Sequence, residues 1–167
     1  DVIELGGSIG VVSSLISKKI NNDQRLIVVE ADKELLPSIL TNITLNNNKT
    51  NFEILNGIIS YENNDEDGNA AFFDSKHNTG GNKYSTKDLD AGLKILSLPA
   101  ITLRAIVEKN KLDEFILVSD IEGAESECLN YDKDVLSKCE LIIIELHNIK
   151  LNKEEIIMIF HSKFKIK

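Results

Sequence analysis

Three residues able to accept hydrogen bonds stand near the ends of apolar runs at equal intervals: Glu4, Glu30 and Asn56, 26 residues apart (4 to 30, 30 to 56). That interval is about one strand plus one helix. If the runs are parallel strands, the three side chains reach one rim, because the ligand crevice of an open parallel sheet lies outside the carboxyl ends of its strands. Glu4 leads into Gly6-Gly7-Ser8-Ile9-Gly10. Glycine has no Cβ and tolerates positive φ, so this loop can turn sharply and bring its amides close to a ligand. A helix opening at Ile9 would then offer unpaired N–H donors to a carboxylate or phosphate. An ionised Glu30 can accept from both hydroxyls of a vicinal diol such as a ribose. The expected occupant is a nucleoside that carries an anionic group.

Two ligand classes meet that description: dinucleotides and S-adenosylmethionine. The dinucleotide fingerprint needs glycines at its first, third and sixth positions, and the series from Gly6 has Ser8 and Val11 at the last two. What remains is acid-x-Gly-x-x-x-Gly, as Glu4, Gly6 and Gly10, in which the acid faces a ligand carrying positive charge. A sulfonium with an α-ammonium group suits that acid; a pyrophosphate does not. Candidates for proton transfer end the later apolar runs: Asp120, Glu122 and His147. Asp120 is favoured by its place after a strand, His147 by a pKa suited to neutral pH. Glu122 has a second reading as a cap for the helix after Gly123. Glu125 and Glu127 are expected on the solvent face of that helix. Asp120, Glu122 and Asp32 could attract Mg²⁺, but no convergent set of oxygens is readable, so no metal is assigned.

The elements that must position these groups follow from apolar patterning. Val2-Ile3-Glu4-Leu5, Arg25 to Val29, Phe52 to Leu55, Phe115 to Val118 and Leu141 to Ile144 read as buried strands. Between the first two, Ile9, Val12, Leu15, Ile16 and Ile20 fall on one helical face. Between the next two, Leu35, Leu36, Ile39, Leu40 and Ile43 do the same, with Pro37 in the first turn. Two strand-helix-strand units with right-handed crossovers give a parallel sheet with helices on both faces. From residue 60 to 98 the chain turns polar. A short strand pair with a turn at Asp67-Gly68 is expected there, then a mobile excursion around Gly80-Gly81. The acidic cluster Glu62, Asp65, Glu66 and Asp67 reads as a solvated loop. After Pro99, Ile101, Leu103, Ile106 and Val107 fit a short amphipathic helix or extended connector, and residues 152–163 are helical by spacing.

Composition narrows the partners. Twenty-seven acidic against 19 basic residues, a net charge of -8, argue against gripping a nucleic-acid backbone. No apolar run approaches the roughly 20 residues needed to span a bilayer. Cys128 and Cys139 have no His at zinc-ligand spacing, so two buried thiols and a cytoplasmic setting are the expectation.

The stretches VIELGGSIG, VVEADKELLPSILTNITLNN, FEILNGIIS with the later EDG, FILVSDIEGAESECL and LIIIELH resemble a class I S-adenosylmethionine-dependent methyltransferase, and more narrowly the FkbM family. The pair DIEGAE and Glu145-Leu146-His147 is the more family-specific part. The resemblance implies an α/β fold: a doubly wound, mostly parallel Rossmann-like sheet in three layers, with seven strands of which one near the end is antiparallel. It covers residues 1–167 as a single domain. The implied activity is methyl transfer, usually to a hydroxyl of a sugar or small molecule. By motif match, Glu4, Gly6 and Gly10 would hold the methionine part, Glu30 the ribose, and Asn56 with Gly57 the adenine edge. Gly7, Ser8, Ala31, Asp32 and Asp120 would complete the cofactor site, and Asp120 and Glu122 would border the acceptor. Three residues depart from the pattern: Ser8 stands for the common Asn, Val118 for a Lys and Arg104 for an Asp. The start at Asp1 and the stop at Lys167 read as a fragment or a short member. These departures keep a second class open, a non-catalytic nucleotide-binding or interaction module of the same fold.

Overall fold

The computed structural model describes residues 1–46, 49–61, 69–74 and 94–147. Its main sheet has five parallel strands in the order β3-β2-β1-β7-β8: β1 (Val2–Leu5), β2 (Arg25–Glu30), β3 (Asn51–Asn56), β7 (Phe115–Ser119) and β8 (Cys139–Ile144). A smaller three-stranded sheet, β4-β6-β5, is built from β4 (Ile58–Ile59), β5 (Asn69–Asp74) and β6 (Lys94–Ile101). All five expected apolar runs are strands, each in its expected place. The chain moves outward from β1 to β3, then crosses to the other side of β1 for β7. That reversal makes the β1–β7 boundary a switch point, where a crevice opens at the strand ends.

Helices cover both faces of the sheet. On one face, α1 (Val11–Ser17) and α2 (Leu36–Asn46) accompany a cluster of Val2, Leu26, Val28, Ile39 and Ile43. On the other, α3 (Leu103–Asn110), α4 (Glu125–Tyr131) and α5 (Lys133–Leu136) pack with Ile3, Leu5, Ile27, Val29, Phe115 and Leu117. Alternate residues of each strand feed opposite clusters, as the period of two requires. Thr102 caps α3 by accepting from the Ala105 amide at 3.1 Å. Tyr61 fastens this layer: its hydroxyl donates to Asp132 at 2.5 Å and accepts from the Leu103 amide at 3.1 Å, while its ring stacks on Tyr131.

Four expectations need correction. The first helix opens at Val11, not Ile9, and its buried residues are Ser13 and Ser17. Ile9, Val12 and Leu15 face outward, Leu15 being 56% exposed. Ile16 and Ile20 pack against the core as expected, but the fully buried positions go to Ser13 and Ser17, Ser13 because it is paired with a buried acid of β1, described below. Third, the strand pair at 60–98 is β5 with β6, paired antiparallel, so its second strand begins only at Lys94, and the expected excursion around Gly80-Gly81 falls outside the described residues. Its second strand contains Pro99, which sits where β6 changes partner: β5 pairs with Lys94 to Pro99 and β4 with Ala100 and Ile101. Finally, Glu125 and Glu127 are buried rather than on a solvent face.

Both cysteines are buried thiols outside any disulfide, as expected, and burial pushes the Cys128 thiol up to about 12. No helix among the described residues is long and apolar enough to cross a membrane. The acidic cluster at 62–67, the Asp67-Gly68 turn, Gly80-Gly81, the helical tail at 152–163 and the antiparallel strand near the chain's end lie outside the described residues.

Candidate functional site

Two groups of residues meet at the carboxyl ends of the strands, one on each side of the switch point. The first is the loop after β1. Gly6 lies at φ 87, and a Cβ there would fall 1.9 Å from the Asp120 carbonyl oxygen, so the loop turns tightly against the tip of β7. Gly10, at φ 84, approaches the Ile39 backbone on α2 so closely that a Cβ would meet its Cα at 2.7 Å. Gly7 lies against Val28 and Ile39 side chains in the same way. Ser8 takes φ 48 without being glycine. The amides of Gly6 and Gly7 donate to the Val29 carbonyl at 2.9 and 3.1 Å, which anchors the loop to β2.

The three evenly spaced residues do not share one height. β2 and β3 are offset by 26 residues, so Glu30 and Asn56 are direct register partners. β1 and β2 are offset by 24, so Glu4 lies opposite Val28, two residues below Glu30 on the same face. Glu4 is accordingly buried under α1, where its carboxylate accepts from the Ser13 hydroxyl at 2.5 Å. Burial is the main cause of a pKa raised to about 7, and the nearby Glu30 adds to it. Glu30 reaches the rim. Its Oε2 accepts from the Ser8 amide and its Oε1 from the Asp32 amide, both at 2.7 Å. Burial raises its pKa and these two amides oppose the shift. Each oxygen keeps a second lone pair for a hydroxyl. Asn56 spends its amide donor group on the Glu30 and Ala31 carbonyls, both at 2.9 Å, which fixes the end of β2. Ala31 also packs against the small sheet. Asp32 accepts from the Glu34 amide at 2.8 Å. Gly57 leaves no room for a side chain, since a Cβ would meet Ile101 at 2.5 Å.

Across the switch point the tips of β7 and β8 form the second group. Asp120 follows β7, and its amide donates to the Leu5 carbonyl at 2.9 Å. Glu122 at φ 53 and Gly123 at φ 117 then reverse the chain into α4. His147, which follows β8, is 23% exposed and is surrounded by four carboxylates. Its Nδ1 is 3.1 Å from Glu125 and 3.9 Å from Asp120; its Nε2 is 3.4 Å from Glu145 and 3.7 Å from Glu122. The hydrogen bond with Glu125 is the chief reason its pKa is raised above 6.5, with Glu122 and Asp120 adding. Asp120, Glu122 and His147 are thus brought together, each with a ligand atom within 4.8 Å of the others'. That spacing admits a cation, and equally a protonated imidazole neutralised by its neighbours.

Glu125, Glu145 and Ser13 are the polar residues of these two groups that were not singled out as candidates from the sequence. Glu125 carried a legible signal, its place two residues after Gly123, but its burial depends on the Glu122-Gly123 reversal. Of the departures from the family pattern, Val118 packs into the α1/α2 face of the sheet. Arg104 forms ion pairs with Asp132 and Asp134, tying α3 to α5.

A family model described as the methyltransferase FkbM domain matches residues 4–164. No curated protein and no solved structure matches the chain.

Proposed function

The chain belongs to the FkbM methyltransferase family, and we propose that it transfers a methyl group from S-adenosylmethionine to a hydroxyl oxygen of a small molecule or sugar. The observation that carries this reading is the pairing, across one switch point, of a diol-accepting rim at Glu30 with a proton-accepting cluster at His147. The donor set fits the cofactor. Glu30 would accept from the ribose hydroxyls, the loop from Gly6 to Gly10 would follow the methionine portion, and Glu4 beneath it would balance positive charge. When bound, the cofactor supplies an electrophilic methyl carbon on a sulfonium.

This chain's own residues have two tasks. They align an acceptor oxygen with that carbon, which can be worth several kcal/mol, up to about 7 to 11. They also take the hydroxyl proton, for which Asp120, Glu122 and His147 are the candidates. The net charge of -8 and the carboxylates around His147 favour a neutral, hydroxyl-rich acceptor and disfavour nucleic acid or anionic lipid. Two buried thiols outside any disulfide suit a reducing compartment, and we place the activity in the cytoplasm.

Calorimetry with S-adenosylhomocysteine tests the binding step, and methyl transfer to a panel of methyl glycosides and phenols tests the chemistry. Binding with turnover on a hydroxyl is expected. Absence of S-adenosylhomocysteine binding would overturn the reading. Binding without turnover across the panel would favour the non-catalytic module instead.

A further inference from the structure

His147 stands among four carboxylates, but they are not equivalent. Asp120, Glu122 and Glu145 are exposed or nearly half-exposed, and each lies beyond hydrogen-bonding distance of the ring or off at 3.4 Å. Glu125 is 0% exposed and sits 3.1 Å from Nδ1. Its oxygens are held by the turn that precedes it, Oε1 by the Ile121 amide at 3.3 Å and Oε2 by the Gly123 amide at 2.9 Å. A carboxylate fixed by backbone donors and sealed from water can dictate which ring nitrogen carries the proton. Three solvated carboxylates on flexible side chains cannot.

We infer that Glu125 is the positioning residue of the methyl-transfer site: by holding the proton of His147 on Nδ1, it leaves Nε2 as the atom that accepts the acceptor's hydroxyl proton. This rests on the methyltransferase reading above and names the base within it. Nε2 faces carboxylate oxygens of Glu122 at 3.7 Å and Glu145 at 3.4 Å, so a hydroxyl entering there meets acceptors and is drawn in as a donor. In the step itself, the O–H proton passes to Nε2 and the oxygen's electron pair forms the bond to the methyl carbon. The carbon–sulfur bond breaks with its pair retained by sulfur, which leaves as a neutral thioether. The imidazolium that forms is stabilised by Glu125 and returns its proton to solvent.

Side-chain nitrogen NMR on the ¹⁵N-labelled chain across about pH 5 to 9 reads both the tautomer and the titration of His147, with H147N assigning its signals among the histidines. The expected result is Nδ1–H in the neutral ring and a midpoint above 6.5. In E125Q the midpoint falls by roughly one unit, while the Kd for S-adenosylhomocysteine stays within about twofold. An Nε2–H tautomer in the wild type, or an unchanged midpoint in E125Q, would overturn the inference. The wild-type tautomer decides the matter even where E125Q does not fold. Failure of S-adenosylhomocysteine to bind the wild type would overturn the methyltransferase reading and with it the role in methyl transfer, an outcome distinguishable from failure of the Glu125–His147 pairing, which the spectra read without the cofactor.

Discussion

The two sides of the switch point are built on different principles. On the β1–β2 side the shape comes from close backbone packing: Gly6 against the Asp120 carbonyl, Gly10 against Ile39, Glu4 sealed beneath α1. On the β7–β8 side it comes from charge, with half-open carboxylates arranged around one imidazole and a single buried one holding it. The first kind of site has almost no freedom to vary in residue type. The second can exchange its exposed side chains with little cost to the fold, which on the proposed reading suits the side that meets the acceptor.

The contrast can be broken first at Gly6. Gly6→Ala would force a methyl onto a carbonyl oxygen at a positive φ, and a loss of at least about 3 kcal/mol is expected in chemical denaturation. Next in size is Glu4. Its carboxyl and that of Glu30 hold their protons more tightly when folded, so their contribution favours the folded state below the ordinary value of 4.5. The Glu4 share is lost as the pH climbs through about 7. Glu4→Gln should therefore raise stability at pH 8 by about 2 to 3 kcal/mol and flatten the pH dependence between those limits, read from denaturation midpoints. Glu30→Ala removes the diol acceptor, and calorimetry should show S-adenosylhomocysteine binding weakened about tenfold, close to 1.4 kcal/mol. The smallest effect belongs to the other side: Asp120→Asn should shift stability by less than about 0.5 kcal/mol in the same denaturation series. A large loss there would erase the distinction between the two sides.

The sheet was legible because parallel strands buried on both faces need continuous apolar runs, and Val2 to Leu5 or Leu141 to Ile144 could hardly be anything else. The glycine loop and Glu30 were legible for a related reason, since they mark the ends of those runs. Heights within the rim were not. Spacing counts residues along the chain, whereas alignment depends on strand offset, and the offsets of 24 and 26 differ between neighbouring pairs. The fully buried positions of α1 escaped detection because Ser13 answers a buried acid, a pairing that apolar periodicity cannot register. Glu125 escaped because two consecutive residues in left-handed conformation turn α4 inward, and one of them, Glu122, is not a glycine.

The contact between Gly6 and the Asp120 carbonyl also bears on protein engineering. The two sides of the switch point meet there and along the β1–β7 pairing, so they are not separable modules. A chimera that grafts the β7 tip of a relative onto this scaffold would import a new carbonyl position, and the glycine loop would have to be transplanted with it. On the proposed reading, redesign of acceptor preference is better begun at Glu145, whose side chain is 67% exposed and meets His147 Nε2 at 3.4 Å.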